Sequence, residues 1–162
     1  MTDVKAVSQT SADPDVATAV AQFLGPVVTD LTALAVDGKQ AHWHVRGANF
    51  QAVHELLDKI VKHARDYADT AAERVVALGL PIDARIQTVG VKATTPTMTV
   101  GFQQADKVIA EVIVALDATL KTVRTAVDEL GTPDPVSQDV AIEIARGLER
   151  DRWFLYAHLA TK

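Results

Sequence analysis

The sequence predicts an all-α protein built as a bundle of four long helices. Apolar residues recur three and four positions apart in four segments, and this spacing places them on one face of a helix. Glycine and proline separate the later segments. Alanine, valine and leucine dominate the apolar residues, whereas aromatic residues make up only 5% of the chain. A chain of 162 residues is long enough to bury one core of this kind.

The start of the first helix follows from its capping residues. Asp13 followed by a proline is typical of a helix start. Residues 1–13 are therefore expected to form a polar, mobile tail ahead of one domain, residues 14–162. Gly25–Pro26 interrupts the apolar pattern. Because proline costs about 3 kcal/mol inside a helix, we expect one helix to end near Leu24 and another to begin at the proline, or a marked kink there.

The second helix is predicted over residues 50–78, with Asn49 as its N-cap. A glycine and a proline beyond it mark its end. The connection that follows, residues 81–101, is long, and Asp83 is expected to cap a short helix over residues 84–92. A connection of this length joins two parallel helices of a bundle.

Two more helices complete the bundle. The third is predicted over residues 103–130, where apolar residues follow the 4-3 spacing of a bundle seam. Gly131 ends it, and Asp134 is expected to be the N-cap of a fourth helix that runs to the C-terminus.

The segment over residues 39–74 carries five residues of the types that bind metal ions. They are His42, His54, Asp58, Asp69 and Glu73. Imidazole nitrogen and carboxylate oxygen together are a usual ligand set for iron, manganese or zinc. His42 and His54 lie equally far from the turn that joins the first two helices, so antiparallel helices would place them side by side. Asp58, one turn beyond His54, would join them at one ion.

The other two carboxylates need a second copy of the chain. Asp69 lies about 16 Å further along the helix than Asp58, so one helix cannot bring all five residues to one ion. The second helix could instead pack antiparallel against its own copy, about a two-fold axis between positions 63 and 64. His54 then faces Glu73 of the partner subunit. Asp58 faces Asp69 of the partner subunit in the same way, which predicts two identical sites at an isologous interface.

Two further residues flank the proposed ligands. Trp43 would shield the site, although a position in the core is an equally good interpretation. Lys39 lies one turn before His42, and a place on the surface is as good an interpretation for it as a place at the site. Three other histidines are predicted not to be ligands: His44, His63 and His158.

The stretches KQAHW, RGANF, HELLD and DTAAER resemble the ferroxidase signature of the Dps family, the mini-ferritins named as DNA-binding proteins of starved cells. The resemblance covers nearly the whole chain. It implies a ferritin-like four-helix bundle with a short extra helix in the crossover between helices two and three, assembled as a homododecamer. It also implies iron oxidation at a site shared across each two-fold axis, with Lys39 at its edge. The ligands would come from two subunits: His42, His54 and Asp58 from one, Asp69 and Glu73 from the other.

An acidic corner joins the third and fourth helices. Residues 125–145 include five acidic residues and no lysine or arginine, and such a corner attracts cations. In the Dps family, acidic residues here line pores at three-fold axes through which Fe²⁺ enters, and Asp134 and Asp139 match best by position. A solvated acidic turn is the alternative interpretation.

These features predict a ferroxidase that stores iron. A site of histidine and carboxylate with open positions binds Fe²⁺, and its anionic ligands stabilise the ferric product. The resemblance adds hydrogen peroxide as the preferred oxidant and a ferric mineral held inside the shell, which would protect the cell from oxidative damage. The chain has no Glu-x-x-His pair, which argues against a di-iron centre within one bundle.

Two other functions stay open. A metal pair at the interface could activate water against an amide bond. The protein could instead coat DNA, but its formal net charge is −5 and its N-terminal tail is not basic. Because phosphate neutralisation needs clustered lysine or arginine, we expect no DNA binding.

Composition also limits the cellular location. The chain has no cysteine, which excludes disulfides and thiolate metal sites. No apolar run approaches the length of a membrane span, and no apolar segment follows a basic one at the N-terminus, as a secretory signal requires. We therefore expect a cytoplasmic protein.

Overall fold

The computed structural model describes residues 8–159 and contains all four predicted long helices. In chain order the elements are α1 (Pro14–His44), β1 (Val45–Arg46), α2 (Phe50–Ala77), α3 (Ile86–Lys92), β2 (Gln103–Gln104), α4 (Ala105–Leu130) and α5 (Pro135–Leu159). The four long helices form the bundle, and α3 is the short extra helix in the crossover. The predicted fold class is therefore confirmed.

Neighbouring long helices run in opposite directions. Lys39 of α1 contacts Asp58 of α2. Three residues later, His42 contacts His54, so residue numbers rise along α1 as they fall along α2. Side-chain pairs between α2 and α5 and between α4 and α5 show the same reversal. It follows that α2 and α4 are parallel, as the length of the crossover predicts.

The core fills the space between the long helices with aliphatic side chains. Each fully buried leucine, isoleucine or valine contributes about 1.5–3 kcal/mol relative to an exposed one. The largest of them come from all four helices: Val20, Leu24, Leu31, Leu34, Leu57, Ile60, Ile109, Leu116, Leu130, Ile144, Leu148 and Leu155. The expectation that no apolar stretch approaches the length of a membrane span is wrong, because among the described helices α1 is long and apolar enough to cross a membrane. However, 56% of its most apolar window is buried inside the bundle.

The helix α1 continues through Pro26, so the predicted end near Leu24 is wrong. Proline has no N–H to donate to the carbonyl group of Gln22. Both Pro26 and Gln22 are exposed, so water can bond to that carbonyl in its place. On the opposite face, Leu24 and Val27 are fully buried. The burial of these and neighbouring side chains outweighs a penalty of about 3 kcal/mol for the proline.

The predicted caps of the helices have mixed outcomes. Asp13 caps α1, because its carboxylate accepts a hydrogen bond of 2.8 Å from the backbone N–H of Asp15. Asn49 is the N-cap residue of α2, as predicted, but its side chain forms no capping bond. Its backbone is instead left-handed, with φ of 60°, a conformation that asparagine tolerates better than most residues.

The short helix α3 begins two residues later than predicted. Its N-cap position is Arg85, and the predicted cap by Asp83 is wrong. The carboxylate of Asp83 accepts two bonds of 2.8 Å from the guanidinium group of Arg85 and one of 2.9 Å from the hydroxyl of Thr88. It also accepts a longer bond of 3.4 Å from the backbone N–H of Arg85, so Asp83 belongs to the turn that precedes the helix.

The helix α4 also begins two residues later than predicted. Gln103 and Gln104 form β2, which pairs in parallel with Val45 and Arg46 of β1. This small ladder ties the turn between α1 and α2 to the end of the crossover. It takes the backbone hydrogen bonds of the two glutamines, so helical structure starts only at Ala105.

A buried carboxylate holds the crossover against the bundle. Asp30 of α1 is 1% exposed. It accepts hydrogen bonds of 2.7 Å from both the backbone N–H and the hydroxyl of Thr94, and one of 2.6 Å from the hydroxyl of Thr122 in α4. All three donors are neutral. A single side chain therefore joins α1, the segment after α3, and α4.

We expect Asp30→Ala to lower the free energy of unfolding by about 3 kcal/mol, because it leaves buried donors without an acceptor. Urea unfolding at fixed protein concentration measures this loss. The matched control is Asp128→Ala, which removes an exposed carboxylate on α4 and should change stability by less than about 0.5 kcal/mol. Equal effects of the two changes would contradict a structural role for Asp30.

Candidate metal centre

Two histidines are held together where α1 ends and α2 begins. The Nδ1 atom of His42 lies 2.8 Å from the carbonyl oxygen of His54, and the Nδ1 atom of His54 lies 2.8 Å from the carbonyl oxygen of His42. The two rings stack with centroids 3.7 Å apart and an angle of 22° between their planes. The structure thus brings together the first two predicted ligands.

This reciprocal pairing fixes the tautomer of both rings. A carbonyl oxygen only accepts hydrogen bonds, so each Nδ1 must carry the proton. In the neutral ring the lone pair is then on Nε2, which is the arrangement of a histidine that binds a metal. The backbone of the opposite helix therefore holds each ring in the tautomer that a metal ligand needs.

The carboxylate of Asp58 is held by a cation from the other helix. The ammonium group of Lys39 pairs with it directly. The hydrogen bond from Lys39 holds the pKa of Asp58 below its ordinary value, and the charges of Lys39, His42 and His54 add to this effect against the opposing effect of desolvation. Asp58 is therefore ionised at neutral pH, and Lys39 contacts one of the predicted ligands.

Within one chain, the structure does not bring the five predicted ligands together. Asp69 and Glu73 are exposed further along α2. In residues 8–159 no group of three or more histidine, aspartate or glutamate side chains is arranged to hold a metal ion. The predicted meeting of His42, His54 and Asp58 at one ion is therefore wrong for the single chain. The predicted sharing of the site between two subunits stays a prediction.

The aromatic residues beside the histidines are exposed in the single chain. Trp43 is 62% exposed, so its interpretation as a core residue of one subunit is wrong. Phe50, at the start of α2, is 44% exposed, and its ring lies 5.1 Å from that of His54.

The other three histidines do not contact this pair. The Nδ1 atom of His44 bonds to the carbonyl oxygen of Gln40 within α1, and that of His63 bonds to the carboxylate of Asp151 in α5. His158 is exposed near the end of α5.

The two acids of the predicted pore have different surroundings. Asp134 accepts hydrogen bonds of 2.7 Å from Arg74 and 2.5 Å from Ser137, and its side chain is 13% exposed. Burial raises the pKa of Asp134, but the bonds from Ser137 and Arg74 outweigh it and hold that pKa below its ordinary value. Asp139 is exposed near the start of α5. Sequence reasoning missed the cation beside Asp134, because Arg74 comes from a distant part of the chain.

Comparisons with known proteins agree with this architecture. Residues 22–162 match the family model described as a ferritin-like domain. The fine tangled pili major subunit of Haemophilus ducreyi is 31% identical over 140 residues, which are 86% of this chain and 74% of that protein. The DNA protection during starvation protein of Agrobacterium fabrum is 30% identical over 141 residues, which are 86% of this chain and 87% of that protein.

A solved structure extends the likeness to the whole bundle. The structure of Dps from Microbacterium arborescens in its high iron form superposes with a TM-score of 0.90 at 57% sequence identity. The match covers 94% of this chain and 99% of that one. The chain therefore belongs to the ferritin-like family and, within it, to the Dps proteins.

Proposed function

We propose that this protein is a cytoplasmic ferroxidase and iron-storage mini-ferritin whose oxidation site forms between two copies of the chain. The observation that carries the proposal is the His42–His54 pair, in which both rings keep Nε2 free. Membership of the ferritin-like family supports iron as the metal. The high iron form of the similar Microbacterium arborescens protein gives the same support.

The surface around the pair supports a contribution from a second copy. Trp43 and Phe50 are large apolar side chains that a single chain leaves exposed, and exposed apolar patches mark interaction sites. Asp69 and Glu73 are exposed on the same helix as Asp58. In an antiparallel pairing of two α2 helices, these carboxylates would complete the ligand set. We propose that such dimers assemble further into a homododecamer.

Fe²⁺ is the substrate of the proposed reaction. Each hydrogen peroxide accepts two electrons, one from each of two Fe²⁺ ions, together with two protons, and its O–O bond breaks to give two water molecules. The Fe³⁺ that forms is hydrolysed with release of protons and is stored as mineral in the shell. Carboxylate ligands favour the ferric product because their negative charge stabilises the higher oxidation state. The reaction removes both Fe²⁺ and peroxide, which together damage the cell.

The decisive test uses two inactive variants. His54→Ala/Asp58→Ala and Asp69→Ala/Glu73→Ala should each abolish rapid Fe²⁺ oxidation. In a random mixture of the two, half of the dimers contain both variants, and each of these has one intact site. Co-assembled shells should therefore regain about a quarter of the wild-type activity. No recovery after verified co-assembly would count against a shared site, and amide cleavage measured on the same samples tests the hydrolytic alternative.

We expect Lys39 to compete with the metal for Asp58. Removal of its ammonium group in Lys39→Ala should tighten the binding of Co²⁺, a probe for Fe²⁺, by about two- to fivefold, the range of an exposed ion pair. Lys62→Ala is the matched control, because Lys62 pairs with Asp66 rather than with a predicted ligand. Binding is measured by titration of the cobalt absorption bands. Weaker binding in Lys39→Ala would show that the lysine orients Asp58 rather than competes for it.

Iron access tests the role of the acidic corner. Arg74 already neutralises Asp134, so Asp139 should carry most of the attraction for cations. Asp139→Asn should slow iron uptake severalfold at low ionic strength and low Fe²⁺, where the field of fixed charges matters most. Asp128→Asn, which removes another exposed acid of the same corner, should have a smaller effect. Uptake by Asp139→Asn at the wild-type rate would mean that the corner is a solvated turn.

Several relatives are named DNA protection during starvation proteins, but we expect this protein not to bind DNA. Its net charge is −5, and binding to duplex DNA depends on the release of counterions by clustered basic residues. A gel-shift experiment at about 0.15 M salt, where the screening length is about 8 Å, should show no retardation. Tight binding under these conditions would reveal a basic surface created by assembly.

A further inference from the structure

The helices α2 and α5 meet along a strip of polar side chains. His63 and Tyr67, one turn apart on α2, face Asp151 and Gly147, one turn apart on α5. We call these four residues the α2–α5 clamp. Metal binding, as proposed above, uses none of them.

The contact between Tyr67 and Gly147 is unusually close. A Cβ atom at position 147 would lie 1.9 Å from the hydroxyl oxygen of Tyr67, 2.6 Å from its Cζ and 2.9 Å from its Cε2. Glycine is a poor helix former, yet it lies in the interior of α5, a helix of 25 residues. The tyrosine ring takes the space that any other residue at this position would occupy.

The second contact of the clamp contains a buried carboxyl group. The side chain of Asp151 is 2% exposed, and the Nδ1 atom of His63 lies 2.9 Å from one of its oxygens and 3.1 Å from the other. A buried carboxylate is costly without a donor, so His63 cannot move away from α5 freely. With two contacts one turn apart, α2 is fixed both along its axis and in rotation.

The predicted partner-facing ligands lie on the other side of the same helix. At about 100° per residue, Asp69 is about 160° and Glu73 about 120° around the helix from Tyr67. A rotation of α2 by about 10° would move a side chain at a radius of about 6 Å by about 1 Å. Ligand distances in metal sites tolerate only about 0.2 Å.

We infer that Tyr67, seated on Gly147 beside the His63–Asp151 pair, is a positioning residue that sets the rotation of α2 and so directs Asp69 and Glu73 toward the partner subunit's site. This inference rests on the proposed function, because it concerns the ligands named there. It adds that the face of α2 that contacts α5 determines the orientation of the opposite face, which carries Asp69 and Glu73.

The test inserts one methyl group into the clamp. Gly147→Ala should weaken Co²⁺ binding by the assembled full-length protein about tenfold and change the cobalt absorption bands, which report ligand geometry. The matched control is Gly90→Ala, which makes the same change inside α3, where a Cβ atom meets nothing within 4 Å beyond the adjoining residues of its own helix. This control should bind cobalt as the wild type does.

A second pair of variants separates positioning from simple loss of structure. Tyr67→Leu should also weaken cobalt binding, because it empties the space at Gly147 without forcing the helices apart. The double variant Tyr67→Leu/Gly147→Ala refills that space with a methyl group and should recover most of the affinity and the wild-type bands. If the two single changes act only by destabilising the protein, the double variant should bind cobalt more weakly than either single variant.

The outcomes distinguish this inference from the proposed function. If His54→Ala/Asp58→Ala binds cobalt as the wild type does, the proposed centre fails, and the inference fails with it. If that variant does not bind cobalt but Gly147→Ala keeps the wild-type affinity and bands, the proposed centre is supported and the inference is wrong. Tyr67 would then move away from position 147 without rotating α2. Failure of the double variant to recover would also overturn the inference.

Discussion

The candidate site depends on one interaction, the exchange of hydrogen bonds between two histidine rings and two backbone carbonyl groups. Each ring donates from Nδ1 to the helix that carries the other. The same two bonds join the end of α1 to the start of α2 and leave both Nε2 atoms available. Local packing and ligand chemistry are thus fixed together, and the ladder between β1 and β2 holds the intervening turn from the other side.

Much of this architecture could be predicted because it follows from periodicity and spacing. The four long helices come from apolar residues at helical intervals, and the meeting of His42 and His54 comes from their equal distance to one turn. Pro26 shows the limit of local propensity, because its missing hydrogen bond faces solvent while the opposite face of α1 is buried. Neither the exposure of Gln22 nor the burial of Leu24 is certain before the bundle is assembled.

Contacts between distant segments were the hardest to predict. Arg74 and Asp134 are separated by 60 positions, and nothing in the composition of the acidic corner indicates that a cation from α2 reaches it. Similarly, the sequence predicts only that His63 is not a metal ligand. Its buried carboxylate partner becomes visible only when α2 and α5 are packed antiparallel. The proposed ligand set is harder still to predict, because it would depend on the surfaces of two chains.

The carboxylate of Asp30 has a consequence for the order of folding. The residues that donate hydrogen bonds to Asp30 lie 64 and 92 positions further along the chain. In contrast, short turns join α1 to α2 and α4 to α5. Local hairpins close faster than long loops, since loop-closure entropy grows with separation. We therefore expect two helical hairpins to form first, with Asp30 still hydrated. The desolvation of this carboxylate then becomes a late step, favourable only when the crossover has docked with its threonine in register.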